Sequence, residues 1–187
     1  MAIINGVDVG ELGEAISSFE KDAARARFEF RTSTRWIDGG HNETAITAFH
    51  GGGRENDDRH FHLEADEPAI LLGRDVAPNP VEHLLHALGS CLTSAMVYHA
   101  AGRGIRVDEC ECEVRGELDA RGFLGIDANV RKGYQHIDVR MRVRADAPAA
   151  VLEECARYSP VFDVVSRSVE VDLTVECVPV EEPAVPA

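Results

Sequence analysis

The run from Leu84 to Ala101 carries almost nothing but apolar and small side chains, broken by His86, Ser90, Thr93, Ser94 and His99. Those polar residues make it too polar for a membrane span, so it reads as a buried helix of a soluble protein. Its start is well specified. Asn79 is placed to be the N-cap, Pro80 suits the first helical position, and Glu82 stands three residues after the cap to complete a capping box. Gly102 and Gly104 can end it, which predicts a helix over Pro80–Gly102. A helix apolar on nearly every side needs partners all round, and one sheet of three or four strands covers only one side. The sequence therefore predicts a homodimer in which a second subunit covers the rest.

The flanking sequence supplies mostly strands. Leu12, Ala15, Ile16, Phe19 and Ala23 recur at helical spacing from about Val9 to Arg25, with Asp8 as a possible cap. Phe28–Trp36 reads as a strand with Phe28, Phe30 and Trp36 on one face and Arg31 and Arg35 on the other. The turn Ile37-Asp38-Gly39-Gly40 joins it to a second strand over Thr44–His50. Gly51–Asp58 reads as a Gly-rich polar loop, and His60–Leu63 as extended. After the long helix, Ile105 and Val107 alternate in one phase and Cys110, Cys112 and Val114 in the other, which predicts a bulge near Asp108–Glu109. Ala120–Gly133 reads as a long connection and Tyr134–Val143 as a strand. A second helix is expected from Asp146-Ala147-Pro148 to about Tyr158, then a turn re-capped by Ser159-Pro160, then a last strand over Val169–Cys177. The Pro-, Glu- and Ala-rich tail, 179–187, is expected to fray. The sum is an α+β chain of antiparallel strands around one long central helix.

Charge narrows the partners. A net charge of −14, with basic residues scattered singly among acidic ones, excludes a phosphate-backbone or anionic-membrane surface. No nucleic acid and no membrane partner is expected. Met1–Gly13 has no basic region followed by an apolar run, so no secretory leader is expected. Five cysteines without compact spacing do not form a disulfide scaffold, and a reducing cytoplasm is the expected setting.

Cys91 is the candidate for covalent chemistry. It shares a helix face with Leu84, Ala87, Leu88, Ala95 and Tyr98, and Gly89 and Ser90 beside it leave room for close approach. Free buried cysteines usually act as small hydrophobes, so reactivity here requires a lowered pKa. The helix dipole fades within the first turn and Cys91 lies far beyond the cap, so a cation must do this. Arg35, at the end of the first strand, is the candidate, set against the alternative of a solvated strand-end charge. Cys110, Cys112 and Cys177 read as packing, and Cys110-x-Cys112 has neither zinc nor redox spacing. Cys155 is the other thiol near a structural break. His83 with His86 and His60 with His62 lack a third ligand, so no metal site is expected, and no cofactor motif is present.

The run Asn79-Pro80-Val81-Glu82-His83-Leu84-Leu85-His86-Ala87-Leu88-Gly89-Ser90-Cys91-Leu92 resembles the central-helix signature of the OsmC/Ohr family, and Ser159-Pro160-Val161-Phe162-Asp163 matches its second motif. The resemblance spans 28–178, with 1–27 as a helical extension. It implies an intertwined dimer with sites at the interface and, from the best-described members, reduction of organic hydroperoxides. There a thiolate on the central helix becomes a sulfenic acid, a second cysteine resolves it, and a dithiol reductant restores the pair. Cys91 matches the attacking cysteine. Ser159 occupies the resolving position and cannot form a disulfide. Val81 stands where the supporting glutamate is expected, with Glu82 one residue later, and Arg35 lies in the region of the supporting arginine.

Two functions follow. One is a thiol peroxidase using Cys91, resolved by an external thiol reductant or by Cys155 displaced one helical turn from Ser159. The other is a non-catalytic binder or structural dimer, with an apolar ligand beside Leu88, Leu92 and Phe162.

Overall fold

The computed structural model describes residues 2–168, so the expected strand Val169–Cys177 and the tail fall outside the described residues. The chain opens with a hairpin of two short strands, β1 (Ile3–Ile4) and β2 (Val7–Asp8). Asn5 and Gly6 turn it, both with positive φ (55° and 78°), the pairing that a two-residue hairpin turn requires. Asn5 Nδ2 donates to the Ile105 carbonyl at 3.0 Å, and Asn5 Oδ1 accepts from the Val107 N–H at 2.8 Å. This stitches the N-terminus to the segment that follows the central helix. Helix α1 (Val9–Lys21) starts where expected, the Asp8 carboxylate accepting from the Gly10 and Glu11 N–H groups. It stops short of Arg25 because Asp22 turns to extended backbone and its N–H returns to the Ser18 carbonyl.

Four strands form the first sheet. β3 (Glu29–Asp38) and β4 (His41–Gly51) make the expected hairpin across Gly39-Gly40. β5 (Arg54–Asn56) and β6 (Phe61–Ala65) both pair with the other edge of β4. The stretch expected as a loop over Gly51–Asp58 thus contains a strand. Gly52 and Gly53 both have positive φ (65° and 80°), which closes a tight turn directly onto β5. The Phe30 ring stacks on Phe28 at 6.1 Å and on Phe49 at 5.3 Å. Phe30 and Trp36 are still 66% and 70% exposed, so the described residues leave most of these two aromatic side chains uncovered.

Helix α2 (Pro80–Gly102) has the boundaries and the capping box that the sequence specifies. It is followed by the antiparallel pair β7 (Val107–Glu117) and β8 (His136–Ala145), whose register shifts between Val107 and Glu109, where the bulge was expected. The connection between them includes a short helix, α3 (Ala120–Phe123), capped by Asp119, which accepts from the Arg121 N–H at 3.0 Å. Helix α4 (Ala149–Ala156) begins later than the expected Asp146, because the Asp146 carboxylate instead accepts from the Arg106 N–H at 2.7 Å. Helix α5 (Pro160–Arg167) follows directly.

One face of β7–β8, with α4 and α5, packs on α2. The core is Leu88, Leu92 and Met96 of α2 against Leu152, Cys155 and Ala156 of α4. Gly89 sets the helix–sheet spacing: a Cβ there would lie 3.0 Å from Val114 Cγ2 and 3.7 Å from Cys112 Sγ. Elsewhere on α2, Leu84 and Tyr98 remain 40% and 54% exposed. Among the described residues no helix is long and apolar enough to cross a membrane.

Candidate functional site: the central helix and its thiols

Cys91 is half-buried on α2. Successive helical residues are rotated by about 100°, which puts Cys91 on the stripe of Leu84 and Tyr98 and nearly opposite Gly89 and Thr93, the residues that face β7. Among the described residues it makes no hydrogen bond or ion pair.

The other candidate residues are held elsewhere in the fold. Glu82 completes the capping box: its Oε2 accepts from the Asn79 N–H at 2.8 Å, while Asn79 Oδ1 accepts from the Val81 and Glu82 N–H groups. Beside it, Tyr134 donates its hydroxyl to the Val81 carbonyl at 2.9 Å, which fixes the first turn of α2. Burial, and then the Glu82 charge, push the Tyr134 hydroxyl pKa up, so it stays a donor. Arg35 lies on β3 of the first sheet, exposed, with its guanidinium 2.7 Å from the Glu43 carboxylate. Within this chain it pairs with Glu43 and not with Cys91.

Cys155 has no exposed surface and points into the core with Leu88, Leu92 and Met96. Nearby, Arg103 donates to the Glu154 carboxylate at 2.8 Å, and that hydrogen bond pushes the guanidinium pKa further up. Ser159 is buried at 1% exposure, and its hydroxyl accepts from the Phe162 N–H at 3.1 Å as the N-cap of α5. Leu92 and Phe162 line an apolar cleft of about 690 Å³ together with Met96, Met141, Leu152 and Arg157. Leu88 lies beneath it in the core at 2% exposure.

Two features escaped the sequence reading. The Arg59 guanidinium sits 5.0 Å from the ring centres of both Phe49 and Phe61, and its Nε is buried with no partner among the described residues. That placement depends on the pairing of β6 with β4, which no local pattern announces. Asp66 is buried at 1% exposure and accepts from the backbone N–H groups of Glu67, Arg74 and Val76. It fixes the loop that leads into α2, and the Glu67 carboxylate then accepts from Asn79 Nδ2 at 2.9 Å.

The sequence model of the OsmC-like protein family matches residues 73–174. A search of curated proteins finds no match. Among solved structures, an OsmC-like protein from Mycoplasma pneumoniae aligns with 12% identity over 74% of this chain and 88% of its own, at a TM-score of 0.54. An OsmC-like protein of unknown function from Vibrio cholerae aligns with 16% identity over 77% of this chain and 95% of its own, at a TM-score of 0.51. At these identities the likeness is one of fold.

Proposed function

Because this chain belongs to the OsmC-like protein family, we propose that it reduces organic hydroperoxides through Cys91, with an external thiol completing the cycle. In the first step the Cys91 thiolate attacks the peroxide, the O–O bond breaks, and with one proton taken up the products are a sulfenic acid and an alcohol. In the second, two equivalents of a small thiol return Cys91 to the thiol, releasing water and a disulfide of the reductant.

One observation carries this reading. Cys91 is the described thiol on the half-exposed stripe of α2, whereas Cys155 is wholly enclosed in the core. Ser159, at the resolving position, is committed to capping α5. A resolving disulfide needs Cα atoms within about 7 Å and side chains that point at each other. The buried direction of Cys155, toward Leu88, Leu92 and Met96, argues for resolution from outside.

The stripe and the aromatic side chains of the first sheet are the surfaces that a second copy would cover, which supports the homodimer. In it, Arg35 of one copy is the proposed cation for Cys91 of the other. Exposed ion pairs are worth about 0–1 kcal/mol, so exchanging Glu43 for a thiolate costs Arg35 little. Peroxide-consumption assays test the cycle. Turnover with a monothiol should vanish in Cys91→Ser and persist in Cys155→Ser; turnover lost in a folded Cys155→Ser would overturn external resolution.

A second reading rests on the apolar cleft, which Leu92 and Phe162 line and Cys91 does not. It makes the protein a binder of an apolar ligand in which Cys91 is a packing thiol. A Cys91 pKa near or above the free value of about 8.5 would favour it.

A further inference from the structure

Four sulfur-bearing side chains outside the peroxidatic reading lie in the layer where α2 meets β7 and β8. Cys110 and Cys112 alternate along β7, so both thiols project from one face of the sheet. That face is the one on α2, because a Cβ on Gly89 would lie 3.7 Å from Cys112 Sγ and Cys110 packs against the core cluster of Leu88, Leu92 and Met96. Met141 is the direct cross-strand partner of Cys112, and opposite residues of an antiparallel pair share a face, so its thioether joins the same layer. Met96, at 1% exposure, closes the group from the helix, with Cys110 and Met141 both packed against its cluster.

The spacing decides what such a group can do. Residues i and i+2 of a strand are about 6.7 Å apart at Cα, the upper limit of disulfide reach, and their Cβ atoms stand well beyond the 3.5–4.5 Å that a disulfide prefers. A metal ion inserted between two sulfurs spans a longer gap than an S–S bond. Zinc would need a fuller set, and among the described residues no group of three or more His, Cys, Asp or Glu side chains meets at a common point. Two thiolates and a thioether are soft ligands of the kind that take monovalent copper, which accepts a smaller ligand set than zinc does.

We propose that Cys110, Cys112 and Met141 form a binding site for a soft monovalent cation of the Cu(I) class, with Met96 behind it. Binding exchanges protons for metal: two thiols and one Cu(I) give a bis-thiolate complex of net charge −1 and two released protons, with no change of oxidation state. Burial pushes both thiol pKa values up, so metal-free they stay protonated at neutral pH and are poor targets for peroxide. A way in exists. A cleft of about 530 Å³, lined by Gly89, Ser90, Thr93, Ser94 and Cys112, opens beside one sulfur, and the larger apolar cleft reaches Met96 and Met141. The site lies nearly opposite Cys91 around α2 and does not depend on the peroxidase reading.

The test is titration of the reduced full chain with Ag(I), and anaerobically with Cu(I), against a chromophoric competitor, in wild type and three variants. Cys110→Ala/Cys112→Ala should weaken tight one-equivalent binding by more than about 100-fold, and Met141→Leu by about tenfold. Cys91→Ser should retain it. X-ray absorption of the Cu(I) form should show a sulfur-only coordination shell, a readout that needs no variant to fold. Equal affinity in the double variant, or nitrogen or oxygen ligands on the copper, would overturn the site; unchanged affinity in Met141→Leu would overturn the third ligand.

Discussion

Asn79 and Glu82 cap each other: the Glu82 carboxylate holds the Asn79 N–H at 2.8 Å, and Asn79 Oδ1 holds the Glu82 N–H at 3.2 Å. The same Asn79 side chain donates to Glu67, so the start of α2 is tied to the preceding loop as well as to itself. Replacing Asn79 by Ala should lower stability by about 1 kcal/mol, the usual value of an N-cap. Glu82→Gln should cost less, because an amide oxygen still accepts from the cap. Urea denaturation of the two variants checks the order.

Gly89 is where α2 approaches β7 most closely, and substitutions there should split by size. Alanine gains about 1 kcal/mol of helix propensity over glycine, while its Cβ asks the Val114 methyl to give by a few tenths of an ångström. Gly89→Ala should therefore be close to neutral. Gly89→Leu has no such space and should lose about 1–3 kcal/mol by overpacking, read as a fall in denaturation midpoint.

Asp66 organises the loop from Glu67 to Val76 through backbone N–H groups and not through another side chain. Asp66→Ala should release the Arg74 and Val76 amides to rapid hydrogen exchange while amides in the middle of α2 keep their protection. Uniform loss of protection across the chain would show instead that the loop is a pillar of the whole fold.

His99 stacks on Tyr158 with ring centres 4.0 Å apart near the C-terminus of α2. Burial, and then the nearby Arg103 charge, hold its pKa below the ordinary value. The unfolded chain therefore binds the His99 proton more readily than the folded one. The stability that this neutral histidine contributes is present above about pH 6.5 and lost as the pH falls through the depressed folded value. His99→Gln should flatten the stability profile on the acid side of pH 6.5 and leave its slope near pH 8 unaltered, as urea denaturation across pH would show.

The parts of the fold that were legible in the sequence are those fixed by local chemistry. Asn79, Pro80 and Glu82 set the start of α2, Asp8 that of α1 and Ser159 that of α5, each by binding its own first-turn amides. The phase change between Val107 and Cys110 marked the β7 bulge. What stayed hidden depends on distant partners. The turn potential of Gly52-Gly53 is local, yet β5 exists because β4 runs long enough to receive it. Asp146 looked like a helix start, but its carboxylate is claimed by Arg106 from another part of the chain. At the site, helical spacing grouped Cys91 with Leu84 and Tyr98, but Gly89, expected to leave room beside Cys91, faces Val114 and Cys112 of β7 instead. Local spacing could not show that Arg35 pairs with Glu43 or that Met141 lies across from Cys112, since both need strand register.

Cys91 is the thiol proposed to meet peroxide, with none of the described cysteines of its own chain resolving it. The direct measurement is intact-mass spectrometry of the reduced protein after brief exposure to an organic hydroperoxide, with a small monothiol then added. The expected result is gain of one oxygen atom at Cys91, conversion to a mixed disulfide with the added thiol, and the same behaviour in Cys155→Ser. Loss of two hydrogen atoms that requires Cys155, or an unmodified Cys91 while a control thiol oxidises, would contradict it.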